Sequence, residues 1–160
     1  MRSFLQYIIS KKRTDMKKIL FLCTGNSCRS QMAEGWGKAL LAEKYDVYSA
    51  GTKKHGLNPY AIKVMAEVDI DITGHDSNTV DELPSAEIDY VITVCSDAHE
   101  NCPYFPAGKV IHIGFDDPPK LTENLKLEED ILPVYRRVRD EIKQMVSNLD
   151  KRILSETSCV

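Results

Sequence analysis

The sequence predicts an α/β domain with a doubly wound, four-stranded parallel sheet and helices on both faces. Short apolar runs alternate along the chain with amphipathic segments, and this alternation is typical of parallel sheets. The two most strand-like runs, 17–23 and 89–95, are almost continuously apolar, as expected for strands covered on both faces. No repeat, low-complexity tract or interdomain linker interrupts the pattern.

The first two helices follow from apolar spacing and from residues that favour helix starts. Met32, Trp36 and Leu40 are spaced four residues apart after the first strand, which predicts an amphipathic helix. Asn58 is a favourable N-cap residue, and Pro59 suits the first helical position. A long third helix is predicted where apolar residues recur at alternating spacings of four and three. We predict strands at 17–23, 45–51, 89–95 and 109–114, and helices at 27–44, 58–68 and 131–149.

Composition limits the classes of function. The chain has 160 residues, 42% of them hydrophobic and 28% charged, and a net charge of -3, which argues against general affinity for nucleic acid. No apolar run approaches the roughly 20 residues that a membrane helix requires. We therefore expect a cytoplasmic monomer with neither nucleic acid nor membrane among its partners.

The N-terminus is predicted to precede the functional domain. The apolar stretch 3–10 is short, and its basic residues follow it, whereas a secretory signal places them first. Met16 opens directly into the first strand. We predict that 1–15 are a disordered extension or a start-site artefact, that 16–154 form a single domain, and that 155–160 form a tail.

Five cysteines are present, and an odd number without a secretion signal favours a reducing compartment, where cysteines tend to be catalytic or metal-binding. Cys23 ends the first strand and Cys95 ends the third, while Asp116 and Asp117 follow the fourth. Because the carboxyl ends of parallel strands line the binding crevice, these side chains are predicted to converge on one edge of the sheet. Cys159 is interpreted as a tail thiol without function.

The segment "CTGNSCRS" joins a predicted strand to a predicted helix start, a geometry that directs backbone N–H groups at an anion. Gly25 and Asn26 tolerate the left-handed conformations of tight loops. A thiolate at Cys23 is favoured beside the helix N-terminus, and Arg29 can grip two oxygens of a tetrahedral oxyanion. The predicted oxyanion-binding residues are Thr24, Gly25, Asn26, Ser27, Cys28, Arg29 and Ser30.

Other interpretations of the cysteines remain at this point. The loop lacks the Gly-Lys-Ser/Thr ending of a Walker loop, and Cys23 and Cys28 are not spaced as a zinc pair. The alternative to an anion site is a tight strand-to-helix turn whose cysteines are buried and have no catalytic role. Cys95, His99 and Cys102 are three potential metal ligands, but no fourth is evident in their segment. We expect no metal and no cofactor.

Three motifs in order resemble one family. "CTGNSCRSQMAEGW" resembles the phosphate-binding loop of low-molecular-weight protein tyrosine phosphatases and, more closely, of thioredoxin-coupled arsenate reductases. "VCSDAHENCP" at 94–103 resembles the redox-cysteine segment of those reductases, and "GFDDPP" at 114–119 is similar to their Asp-Pro loop. The similarity spans roughly 16–144.

The resemblance implies reduction of arsenate by a relay of cysteines. Cys23 would be the nucleophile and Asp117 the general acid, although Asp116 is a close rival. Cys95 and then Cys102 would carry the disulfide, with thioredoxin as the expected reductant and glutaredoxin as an alternative. A tyrosine phosphatase would share Cys23, Arg29 and Asp117 but leave the paired cysteines unexplained. A non-catalytic oxyanion or arsenite sensor is a third hypothesis.

Some members of the family carry a potassium site, and the resemblance maps it onto Asn26, Glu34, Ser49 and Asn78. An amide at Asn78 replaces the carboxylate of the family pattern. A weakly held cation loses much affinity with a missing charge, so no potassium site is predicted.

Overall fold

Four parallel strands form one sheet in the order β2-β1-β3-β4. The computed structural model describes residues 3–14, 16–25, 27–83, 87–95 and 109–157. The strands are β1 Lys17–Leu22, β2 Tyr45–Ala50, β3 Tyr90–Thr93 and β4 Lys109–His112. The helices are α1 Phe4–Thr14, α2 Arg29–Leu40, α3 Pro59–Ala66, α4 Pro118–Leu121 and α5 Glu128–Thr157, with a 3-10 turn at Val80–Glu82. The predicted fold class is confirmed.

The central strand β1 buries side chains on both faces of the sheet. Ile19 and Phe21 point into the larger core, whereas Leu20 and Leu22 point into a smaller cluster on the other side. Successive strand residues face opposite ways, and all four side chains are fully buried. This explains why the first strand reads as a continuous apolar run.

Different elements cover the two faces. Helices α2, α3 and α5 pack together on the larger core, and α2 also contacts β1 and β2. The smaller cluster is covered by Ile88 together with Val80 and Leu83 at the 3-10 turn. Within the described ranges, no helix is long and apolar enough to cross a membrane.

Helix boundaries differ from the predicted ones at several ends. Helix α2 ends at Leu40. The Leu41 N–H donates the last helical hydrogen bond, to the Gly37 carbonyl, and the Leu41 carbonyl then accepts from the Tyr45 N–H where the chain turns into β2. Helix α5 starts at Glu128, three residues before the start that its apolar spacing predicted at Ile131. Its first turn carries three acidic residues, which stabilise the positive end of the helix dipole.

The segments predicted to flank the domain are partly helical. Helix α1 begins at a capping box, in which the Gln6 N–H donates to Ser3 Oγ and the Ser3 N–H donates to Gln6 Oε1. Helix α5 continues through 155–157, which were assigned to the tail. The assignment of 1–15 as an extension stays a prediction.

Strand order positions the site. Strand β1 pairs with β2 on one side and β3 on the other, so Ile19 lies opposite Val47 and Tyr90. The chain passes to β2 in one direction and returns across β1 to β3. Ligands in open α/β sheets bind at the carboxyl ends of strands where the order reverses in this way. The expected crevice therefore lies between the ends of β1 and β3.

Gly37 provides a test of the packing between α2 and the sheet. A Cβ built there lies 2.8 Å from Val47 Cγ1 and 3.2 Å from Phe21, and the branched Val47 side chain has little freedom to move. We expect Gly37→Ala to lower the free energy of unfolding. Overpacking costs about 1–3 kcal/mol, more than the helix-propensity gain of up to about 1 kcal/mol.

The measurement is urea unfolding, with Gly74→Ala as the matched control. No atom lies within 4 Å of a Cβ at Gly74, so that variant should stay within about 0.5 kcal/mol of the wild type. A Gly37→Ala protein as stable as the wild type would contradict the packing argument.

Candidate active site

The loop from Cys23 to Ser30, here called the anion loop and described except at Asn26, joins β1 to α2. Its first half is tied to the chain beyond β2, since the Thr24 carbonyl accepts hydrogen bonds from the Thr52 N–H at 2.8 Å and the Thr52 hydroxyl at 2.8 Å. Its second half is tied to the start of α3, because the Ser27 carbonyl accepts from the Asn58 N–H at 2.9 Å. Neighbouring backbone therefore sets the shape of the loop.

Gly25 is needed for close approach rather than for an unusual backbone angle. Among the described glycines, Gly56 has the positive φ, and Gly25 does not. A Cβ at Gly25 would lie 2.9 Å from His55 Nδ1. Gly25 therefore does not use the left-handed conformation that it could tolerate, and the reason for glycine here is the His55 ring packed against the loop.

The N-terminus of α2 suits an anion. Cys28 occupies the N-cap without a side-chain capping hydrogen bond, and the first turn contains no acidic residue. The exposed N–H groups and the positive end of a helix dipole attract negatively charged ligands. The absence of a carboxylate cap is consistent with a loop shaped for an oxyanion.

Arg29 connects the anion loop to the segment that follows β4. Its side chain is 3% exposed, Nη1 donates to the Phe115 carbonyl at 3.1 Å, and Nη2 lies 3.6 Å from Asp117 Oδ1. The guanidinium of this loop residue thus faces the segment from Phe115 to Asp117. An oxyanion held by this arginine would lie beside the Asp117 carboxyl group.

The structure separates the two aspartates that the sequence left as rivals. Asp116 is exposed, and its Oδ2 accepts a hydrogen bond at 3.0 Å from Nη2 of Arg137 on α5. Asp117 is partly buried and faces Arg29. Only Asp117 is directed at the anion loop, so it is the better placed of the two to exchange a proton there.

Cys23 and Cys28 are both buried thiols, and Cys28 is held in the neutral form. Burial raises the pKa of the Cys28 thiol strongly, and the negative charges of Asp117 and Cys23 raise it further, against a smaller opposing effect of Arg29. A protonated thiol is a poor nucleophile. Cys28 is therefore suited to the wall of the loop and unsuited to attack.

Cys95 lies beside the anion loop. It is fully buried two residues after β3, and its sulfur is 3.9 Å from the Thr24 hydroxyl oxygen, the residue next to Cys23. It is disulfide-bonded, while Cys23 and Cys28 remain thiols. A disulfide-bonded sulfur thus borders the loop that carries the predicted nucleophile.

Most of the predicted site residues come together at this edge of the sheet. The structure places Cys23, Thr24, Arg29, Cys95 and Asp117 around the carboxyl ends of β1, β3 and β4. Ser30 is fully buried in the first turn of α2. Asn26 and Cys102, two further members of the predicted set, lie outside the described residues.

Of the four residues that the sequence resemblance maps onto a potassium site, Glu34, Ser49 and Asn78 are described and Asn26 is not. The Glu34 carboxylate faces His75, with Oε2 2.8 Å from Nδ1, and the same ring nitrogen is 3.1 Å from Gln31 Oε1. Asn78 contributes no charge. One orphaned acceptor remains, since Ser49 Oγ is buried without a hydrogen-bond partner among the described residues.

Sequence reasoning missed three residues around the site. His55 packs on the anion loop, Arg137 holds Asp116, and Tyr135 places a buried hydroxyl near Asn58. Tyr135 lies in the helix predicted at 131–149, where apolar spacing alone carried the prediction. The one available signal was its hydroxyl group, because a tyrosine at a buried helix position needs a hydrogen-bond partner.

The comparison with protein families decides the classification. A model described as low molecular weight phosphotyrosine protein phosphatase matches residues 18–158. The chain belongs to this family. The resemblance stated from the three motifs is confirmed, and helix α1 lies outside the matched region.

Individual relatives match over almost their whole length. Arsenate reductase 2 of Staphylococcus saprophyticus is 51% identical over 133 residues, 82% of this chain and 95% of that protein. An arsenate reductase of Oceanobacillus iheyensis is 54% identical over 127 residues, 79% of this chain and 89% of that protein. A solved structure of an arsenate reductase in the phosphate-binding state has a TM-score of 0.71 at 35% identity, covering 86% of this chain and 99% of that one.

The state of Cys28 can be tested by alkylation. We expect iodoacetamide at about pH 8 to label Cys28 readily in urea, where a cysteine pKa is about 8.5. Native protein should react at this residue at least about 100-fold more slowly, because burial both raises the pKa and blocks access. Peptide mapping by mass spectrometry measures both rates. Similar rates in the two conditions would show that Cys28 is neither buried nor protonated.

Proposed function

We propose that this enzyme reduces arsenate to arsenite through Cys23, Cys95 and Cys102, with thioredoxin reducing the final disulfide. The observation that carries the proposal is the position of Cys95, whose sulfur lies 3.9 Å from Thr24 in the anion loop. Arsenate reduction requires two electrons, which is what two thiols release on forming a disulfide. Relatives about 50% identical are named arsenate reductases, which supports the same assignment.

In the first step, the Cys23 thiolate attacks arsenic, an arsenic–oxygen bond breaks, and Asp117 protonates the departing oxygen. The loop amides and Arg29 hold the remaining oxygens. Asp117 fits the role of acid because its carboxyl group faces Arg29 at 3.6 Å. The partly buried carboxyl is held beside the oxygens that the arginine binds.

In the second step, Cys95 attacks the Cys23 sulfur. The sulfur–arsenic bond breaks, its electron pair passes to arsenic, and arsenite leaves behind a Cys23–Cys95 disulfide. Cys102 then attacks the Cys95 sulfur, which frees the Cys23 thiolate and forms a Cys95–Cys102 disulfide. Each transfer is thiol–disulfide exchange and requires a thiolate within reach.

The bonding of the described cysteines is consistent with the last step of this relay. Cys95 is oxidised to a disulfide while Cys23 is a thiol, the combination expected once Cys23 has been regenerated. Cys28 is held protonated by burial, so it does not compete with Cys23 to form a disulfide with Cys95. The relay therefore needs no thiol of the anion loop other than Cys23.

A coupled assay with thioredoxin, thioredoxin reductase and NADPH tests the relay. Wild type should oxidise NADPH when arsenate is added. Cys102→Ser should release about one arsenite per enzyme and then stop, because the Cys23–Cys95 disulfide cannot be passed on. Cys159→Ser is the matched control and should turn over as the wild type does.

Other outcomes decide against the proposal or refine it. Continuous turnover by Cys102→Ser would remove Cys102 from the relay. Absence of arsenate turnover in the wild type, with hydrolysis of aryl phosphate, would favour a tyrosine phosphatase. Tight arsenite binding without either activity would favour a sensor. Replacing thioredoxin by glutaredoxin shows which reductant the enzyme uses.

The acid is tested by a matched pair of variants. Asp117→Asn should lower kcat by about 10²–10⁴-fold, the usual contribution of a general acid. Asp116→Asn should remain within a fewfold of the wild type, because its carboxylate pairs with Arg137 away from the anion loop. Steady-state kinetics at several arsenate concentrations measures both. A larger loss in Asp116→Asn would reverse the assignment.

A further inference from the structure

The Thr24 carbonyl in the anion loop is held by three donors from the chain that follows β2. It accepts hydrogen bonds from the Thr52 N–H at 2.8 Å, the Thr52 hydroxyl at 2.8 Å and the Lys53 N–H at 3.3 Å. A carbonyl oxygen offers two lone pairs, so three donors occupy it fully. The Thr24 carbonyl is therefore fixed in the direction of Thr52.

Thr52 follows a backbone position that is anchored by an extension of the sheet. The Gly51 N–H donates to the Asn78 carbonyl at 2.9 Å, and the Gly51 carbonyl accepts from the Val80 N–H at 3.0 Å. These bonds form a parallel bridge between Gly51, which is buried, and Thr79. Thr52 therefore approaches the anion loop from a fixed part of the chain.

The direction of the Thr24 carbonyl decides where the Gly25 N–H points, because both belong to one peptide group. The described residues contain no cis peptide bond, and in a planar trans peptide the C=O and N–H bonds point in opposite directions. The Gly25 N–H is thus directed away from Thr52. In the part of the chain that the structure describes, no residue accepts a hydrogen bond from it, which leaves this donor available to an anion.

The second half of the anion loop has the same arrangement. The Ser27 carbonyl accepts from the Asn58 N–H at 2.9 Å, so the Cys28 N–H of the same peptide group points away from Asn58, at the N-cap of α2. Segment 52–58 therefore holds two carbonyls of the loop on its own side. Only at Thr52 does a side-chain hydroxyl contribute, and this makes the arrangement open to a test by substitution.

The orientation of the Thr24–Gly25 peptide affects anion binding directly. If this peptide turned over, its carbonyl oxygen would face the anion in place of its N–H. Backbone N–H groups stabilise an oxyanion, whereas a carbonyl oxygen carries partial negative charge and repels it. The reversal would also break the three hydrogen bonds to Thr52 and Lys53. These bonds therefore favour the orientation that can bind, and apparent affinity falls with the fraction of protein in that orientation.

We propose that Thr52 is a positioning residue, whose hydroxyl holds the Thr24–Gly25 peptide with its N–H directed at the bound oxyanion. This role rests on the proposed function only in taking the anion loop as the oxyanion site. The Thr52 hydroxyl acts through the Thr24 carbonyl and does not touch the substrate. Thr52 lies 28 positions beyond Thr24 in the chain, outside every motif of the site.

Thr52→Val removes the hydroxyl and keeps the β-branched shape. We expect the Kd for inorganic phosphate and the KM for arsenate to rise about two- to tenfold, the range that one net hydrogen bond supports. The kcat should stay within about twofold of the wild type, because the same N–H binds the anion before and during attack. Isothermal titration calorimetry measures the Kd, and the coupled assay with thioredoxin measures KM and kcat.

Two further variants separate positioning from a general structural effect. Thr52→Ser keeps the hydroxyl and should restore the phosphate affinity of the wild type. Thr73→Val is the matched control, since Thr73 is an exposed threonine whose hydroxyl donates to Asp71 Oδ1 at 2.6 Å, two residues away in the chain. Its Kd and KM should equal those of the wild type. Urea unfolding of each variant checks that the protein is folded.

The outcomes decide the role of Thr52 separately from the proposed function. Unchanged phosphate affinity in Thr52→Val would overturn the proposal, and so would a Thr52→Ser protein that binds phosphate as weakly as Thr52→Val. A lower kcat with unchanged Kd would also reject it, because Thr52 would then act in the chemical step. If Thr52→Val weakens phosphate binding and Thr52→Ser restores it, but the wild type reduces no arsenate, the positioning role stands and the proposed function is rejected.

Discussion

The architecture of the site depends on the buried guanidinium of Arg29. A charged group that is 3% exposed is costly unless it is hydrogen-bonded and faces opposite charge. Two nitrogens of Arg29 meet this requirement, Nη1 at the Phe115 carbonyl and Nη2 opposite Asp117. These residues are 86 positions apart at the backbone contact. The arginine can therefore be buried only when α2 and the segment after β4 are both in place.

The parallel sheet makes this contact possible. Because β1 lies between β2 and β3, the loop after β1 has neighbours on both sides at its carboxyl end. Thr52 holds Thr24 from the β2 side, and Cys95 meets it from the β3 side. The strand order thus sets which side chains can reach the anion, and the loops supply the chemistry.

A phosphatase and a reductase can share the same anion machinery. In the proposed mechanism the loop, Arg29 and Asp117 would hold the oxyanion and supply a proton, and a phosphatase would use them in the same way. Reduction needs a second sulfur that can reach the first, and the end of β3 places Cys95 against the loop. Burial that keeps Cys28 protonated also limits unwanted exchange within the loop. In this proposal the reductase would differ from a phosphatase by the cysteine at the end of β3.

The sequence by itself determined where the strands lie, that the sheet is parallel, and which residues form the motifs. Strands buried on both faces and helix starts each leave a recognisable pattern within a few neighbouring residues. It did not determine why position 25 is glycine, which aspartate faces the loop, or that the Tyr135 hydroxyl bonds to the start of α3. Those outcomes depend on His55, Arg137 and Asn58, residues remote in the chain. Only tertiary packing brings such partners within hydrogen-bond distance, so no local pattern can reveal them.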